Sequence, residues 1–181
     1  KLIPIADLEV HTVNGEDSFV GMQVARQSGN PQQSNINTDI LECGFDLSQE
    51  PKKLREAYGA NVFGQGCLMA RRLIQRGVPF VEVSLGTNSG GVGWDTHSDN
   101  FRAVADLSKT LDDGWGTLMQ DLQDHGLLES TTILWMGEFG RTPAINPSAG
   151  RDHFPNAWTS VLAGGGIAGG QAGYVASVLR Y

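Results

Sequence analysis

Val78-Pro79-Phe80-Val81-Glu82-Val83-Ser84-Leu85 is β-branched and alternating, and it reads as a strand. Thr131-Thr132-Ile133-Leu134-Trp135-Met136 reads as a second strand. Between them, apolar residues recur at Phe101, Val104, Leu107, Leu111, Trp115, Leu118 and Leu122. Those spacings of three and four define one helical face over residues 99–125, and Gly126 is a natural stop. Gly114 and Gly116 weaken the middle of this helix, which leaves a kink or a break open there. Strand, long helix and strand form a βαβ unit, whose strands are expected to run parallel through a right-handed crossover. Their carboxyl ends then share one edge, which is where open α/β sheets hold their ligands.

Upstream, Phe63, Cys67, Ala70 and Ile74 fall on one face of an expected helix at 62–76, with Gly77 placed as a cap. Pro51 and Gly59 bracket a short helix. Downstream, residues 158–163 read as a third strand ending in the glycine run 164–170. That run lacks the Gly-Lys-Ser/Thr ending of a phosphate loop and is expected to be a flexible turn. No Gly-x-Ser-x-Gly elbow is present. The first forty residues are poorly patterned, and 27–38 is rich in Asn, Gln, Ser and Gly. The expected organisation is therefore a loop-rich segment over 1–44 and an α/β domain over 45–181.

Hydrophobic residues at 40% and charged residues at 18% of 181 describe an ordinary globular chain long enough for one sizeable core. A net charge of −7 without a basic run argues against nucleic acid as partner. No apolar run is long enough for a membrane span. Cys43 and Cys67 lack metal-ligand spacing and read as buried thiols. The chain begins at Lys1 with no signal-peptide pattern, which suits a processed protein or a piece of a longer one.

Chemistry is concentrated in three glycine-bracketed loops: Gly93-Trp94-Asp95-Thr96-His97, Gly137-Glu138-Phe139-Gly140-Arg141 and Gly150-Arg151-Asp152-His153-Phe154-Pro155. Asp, Glu and His are what a divalent metal needs from a protein. Asp95, His97, Glu138 and His153 are the candidate metal ligands. Asp152 either ligates or orients an imidazole, and Arg141 is placed to clamp an anionic oxygen. Against this stands a plain structural reading, in which Asp95-Thr96 caps a turn and Glu138 pairs with Arg141 on the surface. His11 and His125 are assigned no role.

Four stretches carry a resemblance: 63–73, 93–101, 135–143 and 150–156. They closely resemble the bacterial family called domain of unknown function 1501, related to the sulfatases within the alkaline phosphatase superfamily, over about residues 45–171. The resemblance implies an α/β/α three-layer sandwich with a mainly parallel sheet, incomplete here, and a metal-dependent hydrolase site at the strand ends. It implies Asp95 and His97 as one ligand pair, Glu138 where an aspartate usually begins an Asp-His pair, and His153 as the last histidine. The metal would be a divalent ion such as zinc, calcium, manganese or magnesium. The substrate would be an anionic sulfate or phosphate ester, held by Arg141 and Asp152.

Two departures qualify the resemblance. Phe139 stands where relatives carry histidine or asparagine, and the acidic motif with its nucleophile has no candidate in the chain. The chain therefore reads as the carboxy-terminal part of a longer, exported or periplasmic protein, with little or no turnover alone. The competing expectation is a non-catalytic member that uses the same cleft to bind an anion, a polysaccharide or a protein.

Overall fold

The computed structural model describes residues 20–26, 44–86 and 93–170. Four strands form one sheet: β1 (Val20–Arg26), β2 (Phe80–Ser84), β3 (Thr131–Gly137) and β6 (Ser160–Gly164), in the order β2-β1-β3-β6. Two further short strands, β4 (Gly140–Arg141) and β5 (His153–Phe154), pair separately. The helices are α1 (Lys52–Ala57), α2 (Val62–Gln75) and α3 (Asn100–Asp124).

The protein is a mixed α/β fold whose strand pairs among the described residues are antiparallel. The two strands of the expected βαβ unit do run in the same direction, but they are not neighbours. β1 lies between them and is antiparallel to both. Gly21 pairs with Ser84 on one side and with Met136 on the other, so the carboxyl ends of β2 and β3 stand level on one edge. The expected mainly parallel arrangement therefore does not appear as direct pairing here. β6 enters beside that same edge, with Ser160 opposite Met136, and runs antiparallel to β3. The connection from β3 to β6 contains no helical crossover, so the chain returns from the end it left by, which dictates the antiparallel sense.

β1 comes from the stretch read as poorly patterned, yet it is hydrogen-bonded on both sides within the sheet. The other expected elements fall within a few residues of their expected limits.

The core forms where α2 and α3 cover one face of the sheet. Phe63, Cys67, Ala70 and Ile74 of α2 are all buried as expected, with Leu118 and Leu122 of α3 against Val83, Leu85 and Ile133. Burial pushes the Cys67 thiol pKa up, whereas Cys43 lies outside the described residues. Only the second half of the α3 stripe reaches the core, for Phe101 is 63% exposed.

α3 runs unbroken through Gly114 and Gly116. Gly114 has a packing role, because a Cβ there would lie 2.8 Å from the Phe63 ring. The helices cross at a point where only hydrogen fits. The glycine run after β6 is also tightly held at its start. Gly164 adopts φ +85, and Gly165 donates from its amide to Thr131 O at 2.8 Å. No helix among the described residues is long and apolar enough to cross a membrane.

A candidate metal centre

The three loops meet at the edge where β2 and β3 end. The β4–β5 pair sets Arg141 opposite His153, and both side chains reach the same oxygen of Asp95. Arg141 Nη1 lies 2.7 Å from Asp95 Oδ1, and His153 Nε2 lies 3.1 Å from it. His97 Nε2 lies 3.0 Å from that oxygen and 3.1 Å from His153 Nε2. Asp95, His97 and His153 thus offer one oxygen and two nitrogens at the corners of a nearly equilateral triangle. The side chains are 30%, 44% and 48% exposed, so the triangle is open to solvent.

Local structure explains the convergence. Thr96 is buried, and its hydroxyl bonds Asn100 Oδ1 at 2.7 Å, tying the 93–97 loop to the first residue of α3. Arg151 N donates to Thr96 O at 2.9 Å, which brings the third loop alongside. A Cβ on Gly150 would lie 1.9 Å from His97 O, so a glycine is required where the two loops cross. Next to it, Ala149 holds φ 55, a left-handed conformation that costs a non-glycine residue about 1–2 kcal/mol. The ends of the 142–152 loop are closed by Thr142 N donating to Asp152 O at 2.9 Å and by Asp152 N donating to Thr142 Oγ1 at 3.1 Å. Arg151 Nη1 donates to the carbonyls of Thr142 and Pro143, stapling the same loop.

The charges are tuned by these contacts. Partial burial alone would raise the Asp95 pKa, but hydrogen bonds from His153 and Arg141 outweigh it and hold the carboxyl below its usual value. Asp152 is also held low, chiefly by Asn146 and then by His97. Both ring nitrogens of His97 face carboxylate oxygens at 3.0 Å, Nδ1 toward Asp152 and Nε2 toward Asp95, and an ionised carboxylate can only accept. A cation inside the triangle would take the lone pairs of Asp95 Oδ1 and both Nε2 atoms and leave the Nδ1 hydrogen of His97 to Asp152.

The fit to a metal is direct. Bonds of about 2.0–2.1 Å to an ion set neighbouring ligand atoms roughly 2.8–3.4 Å apart, from octahedral to tetrahedral geometry. Two imidazoles and one carboxylate suit zinc or a first-row transition ion better than calcium or magnesium. A carboxylate behind a ligating histidine is the usual partner that fixes its tautomer.

Of the residues singled out from the sequence, Asp95, His97, His153, Arg141 and Asp152 are brought together. Glu138 is not among the converging atoms and is exposed on the turn between β3 and β4. Arg141 pairs with Asp95, not with Glu138. Phe139 packs on His153, with ring centroids 4.5 Å apart, and forms a wall of the site. Asn146, which sequence reasoning missed, bonds both His97 O and Asp152. Its only sequence signal is its place in the loop between Pro143 and Gly150.

The sequence model of the family described as "Protein of unknown function (DUF1501)" matches residues 19–175. The chain belongs to this family. The match takes in β1, which the resemblance over 45–171 had left out. Neither the curated proteins nor the solved structures give a significant match.

Proposed function

We propose that this edge is the divalent-metal centre of a hydrolase acting on sulfate or phosphate esters. The observation that carries the reading is the triangle of Asp95 Oδ1, His97 Nε2 and His153 Nε2, with sides of 3.0–3.1 Å and with Asp152 behind His97. The chemistry such an ion supplies is neutralisation of the ester oxygens and activation of an oxygen nucleophile. Asp95 contributes the negative charge that retains a cation, and the two imidazoles fix its direction. Arg141 places a second cation where an anionic oxygen would arrive, and Asp152 orients His97. Glu138, in the adjacent turn, belongs to this reading only as an outer ligand.

The same reading extends the fold to a three-layer sandwich of alkaline phosphatase type and the whole protein to an exported enzyme. It is supported by the level carboxyl ends of β2 and β3 and by the helical layer on one sheet face.

The test starts from metal-stripped protein, melted with zinc, manganese, calcium or magnesium added singly. Zinc or manganese is expected to raise the melting temperature, and the His97→Ala/His153→Ala double variant is expected not to respond. If no ion shifts the wild-type protein, the metal reading fails. Among the described residues no Ser, Thr or Cys side chain is hydrogen-bonded to the three ligands. This chain is therefore expected to turn over nitrophenyl sulfate or phosphate slowly or not at all, and rapid hydrolysis would refute that expectation.

One observation favours a second reading, a non-catalytic binding site. Arg141 already sits 2.7 Å from Asp95 and supplies a positive charge that a metal would otherwise bring. On that reading the cluster is satisfied by protons and Arg141, and the melting series stays flat.

A further inference from the structure

Asn146 lies in the loop between β4 and β5, and its side-chain amide is used to capacity. Its Oδ1 accepts from Ser148 N at 3.0 Å and from Gly150 N at 2.9 Å. Its Nδ2 donates to His97 O at 2.9 Å and to Asp152 Oδ1 at 3.0 Å. Two backbone N–H groups on one side and two acceptors on the other leave a single sensible orientation for this amide. The oxygen end shapes the loop. The nitrogen end ties the His97 backbone to the same carboxylate oxygen that receives His97 Nδ1.

We propose that Asn146 is a positioning residue of the centre. By holding Asp152 and the His97 carbonyl together, it fixes the His97 ring with Nδ1 against Asp152 and Nε2 turned toward Asp95 and His153. Without the amide N–H groups, Asp152 loses one of its two donors and is free to swing away. The His97 ring then has no fixed partner on Nδ1, and its Nε2 is no longer held toward Asp95 and His153. The positioning claim stands by itself, and its consequence for metal affinity rests on the proposed function above.

Asn146→Asp separates the two ends of the side chain. It keeps an acceptor for Ser148 N and Gly150 N but turns an oxygen toward Asp152 and His97 O. Asn146→Ala removes both ends and serves as the second variant. The measurement is nitrogen–proton NMR of the imidazoles in metal-free protein, followed by titration with zinc alone. His125 serves as internal reference, since its Nδ1 faces Asp121 at the far end of α3.

In the wild type, the His97 ring is expected to give one ordered set of signals, with Nδ1 hydrogen-bonded to Asp152. In both variants those signals broaden or split, His125 is unchanged, and zinc binds about 10–100-fold more weakly. Asn146→Ala combined with Asp152→Ala is expected to be no worse than Asp152→Ala alone, because the amide acts through the carboxylate. The proposal is overturned if Asn146→Asp keeps the His97 ring signals and zinc affinity, or if only its melting temperature falls. If the ring signals change as expected but the wild type binds no zinc, positioning stands and the metal reading is what fails.

Discussion

The molecule holds two charged networks of similar size and opposite exposure. In the interior, Arg71 lies 2.9 Å from Glu50 Oε2 and 2.8 Å from Asp121 Oδ2, and Arg72 bonds the other oxygen of Glu50. Tyr58 donates to Asp121 at 2.8 Å, while burial and then the Asp121 charge push its hydroxyl pKa far up, so that it stays a donor. Arg71 is 1% and Arg72 3% exposed. Here two guanidinium groups face two carboxylates, and charge and hydrogen bonds close on themselves. At the sheet edge, Asp95, His97 and His153 bring one carboxylate oxygen and two imidazole nitrogens together beside the Arg141 guanidinium, and they do so in partial contact with water. The interior network joins α2, α3 and the segment before α1 into one body. The edge network sets one oxygen and two nitrogens within 3.1 Å of one another at the surface, and the proposed metal reading rests on that arrangement.

The largest expected effect probes the interior. Arg71→Met leaves Glu50 and Asp121 buried without their central cation and is expected to cost about 3–5 kcal/mol in urea unfolding. His97→Ala in metal-free protein is expected to change stability by no more than about 0.5 kcal/mol, as partly exposed positions do. Equal losses in the two variants would erase the distinction.

The second effect reverses the roles. Zinc at roughly 100 times its dissociation constant is expected to add about 2.7 kcal/mol to the wild type and to Lys109→Ala alike, and nothing to His97→Ala/His153→Ala. Calorimetry with and without a chelator reads this difference.

Acid sharpens the comparison further. Burial raises the Glu50 pKa, but the hydrogen bonds from Arg71 and Arg72 lower it by more, and Asp95 is likewise held low. A carboxyl with a depressed folded-state pKa binds its proton more readily when unfolded. Its stabilisation is therefore present above about pH 4 and is lost as pH falls through the lowered folded value. Glu50→Gln is expected to flatten the acid limb of stability more than Asp95→Asn does, because Glu50 is the less exposed of the two. A pH series of urea midpoints checks the order.

The smallest effect is a control. Lys109 and Asp113 pair at 2.7 Å on the outer face of α3, with side chains 75% and 44% exposed. Lys109→Ala is expected to cost about 0.3–0.5 kcal/mol, and less in high salt.

Much of the site was legible because its residues announce themselves chemically. Asp95, His97, Arg141, Asp152 and His153 were chosen for donor chemistry and glycine-bracketed loops, and they do converge. Glu138 was chosen on the same grounds, but local sequence does not tell which way a turn aims its side chain. Asn146 was illegible for the converse reason: an amide in a loop has no distinctive pattern until its four partners are in place. The burial of Arg71 and Arg72 was hidden too, since their acids lie in Glu50 and Asp121, far away along the chain.

β1 is an instructive miss. Val20, Met22 and Val24 alternate as a strand should, but the signal is short and lies beside a long polar stretch. By itself the sequence determined the helices, β2, β3 and the chemical character of three loops, because periodicity and donor type are local properties. Only the tertiary structure decided that β1 separates β2 from β3, that β6 runs antiparallel, and that one oxygen of Asp95 meets two imidazoles. Strand partners and converging side chains are contacts between distant residues, and their geometry exists only once the chain has closed on itself.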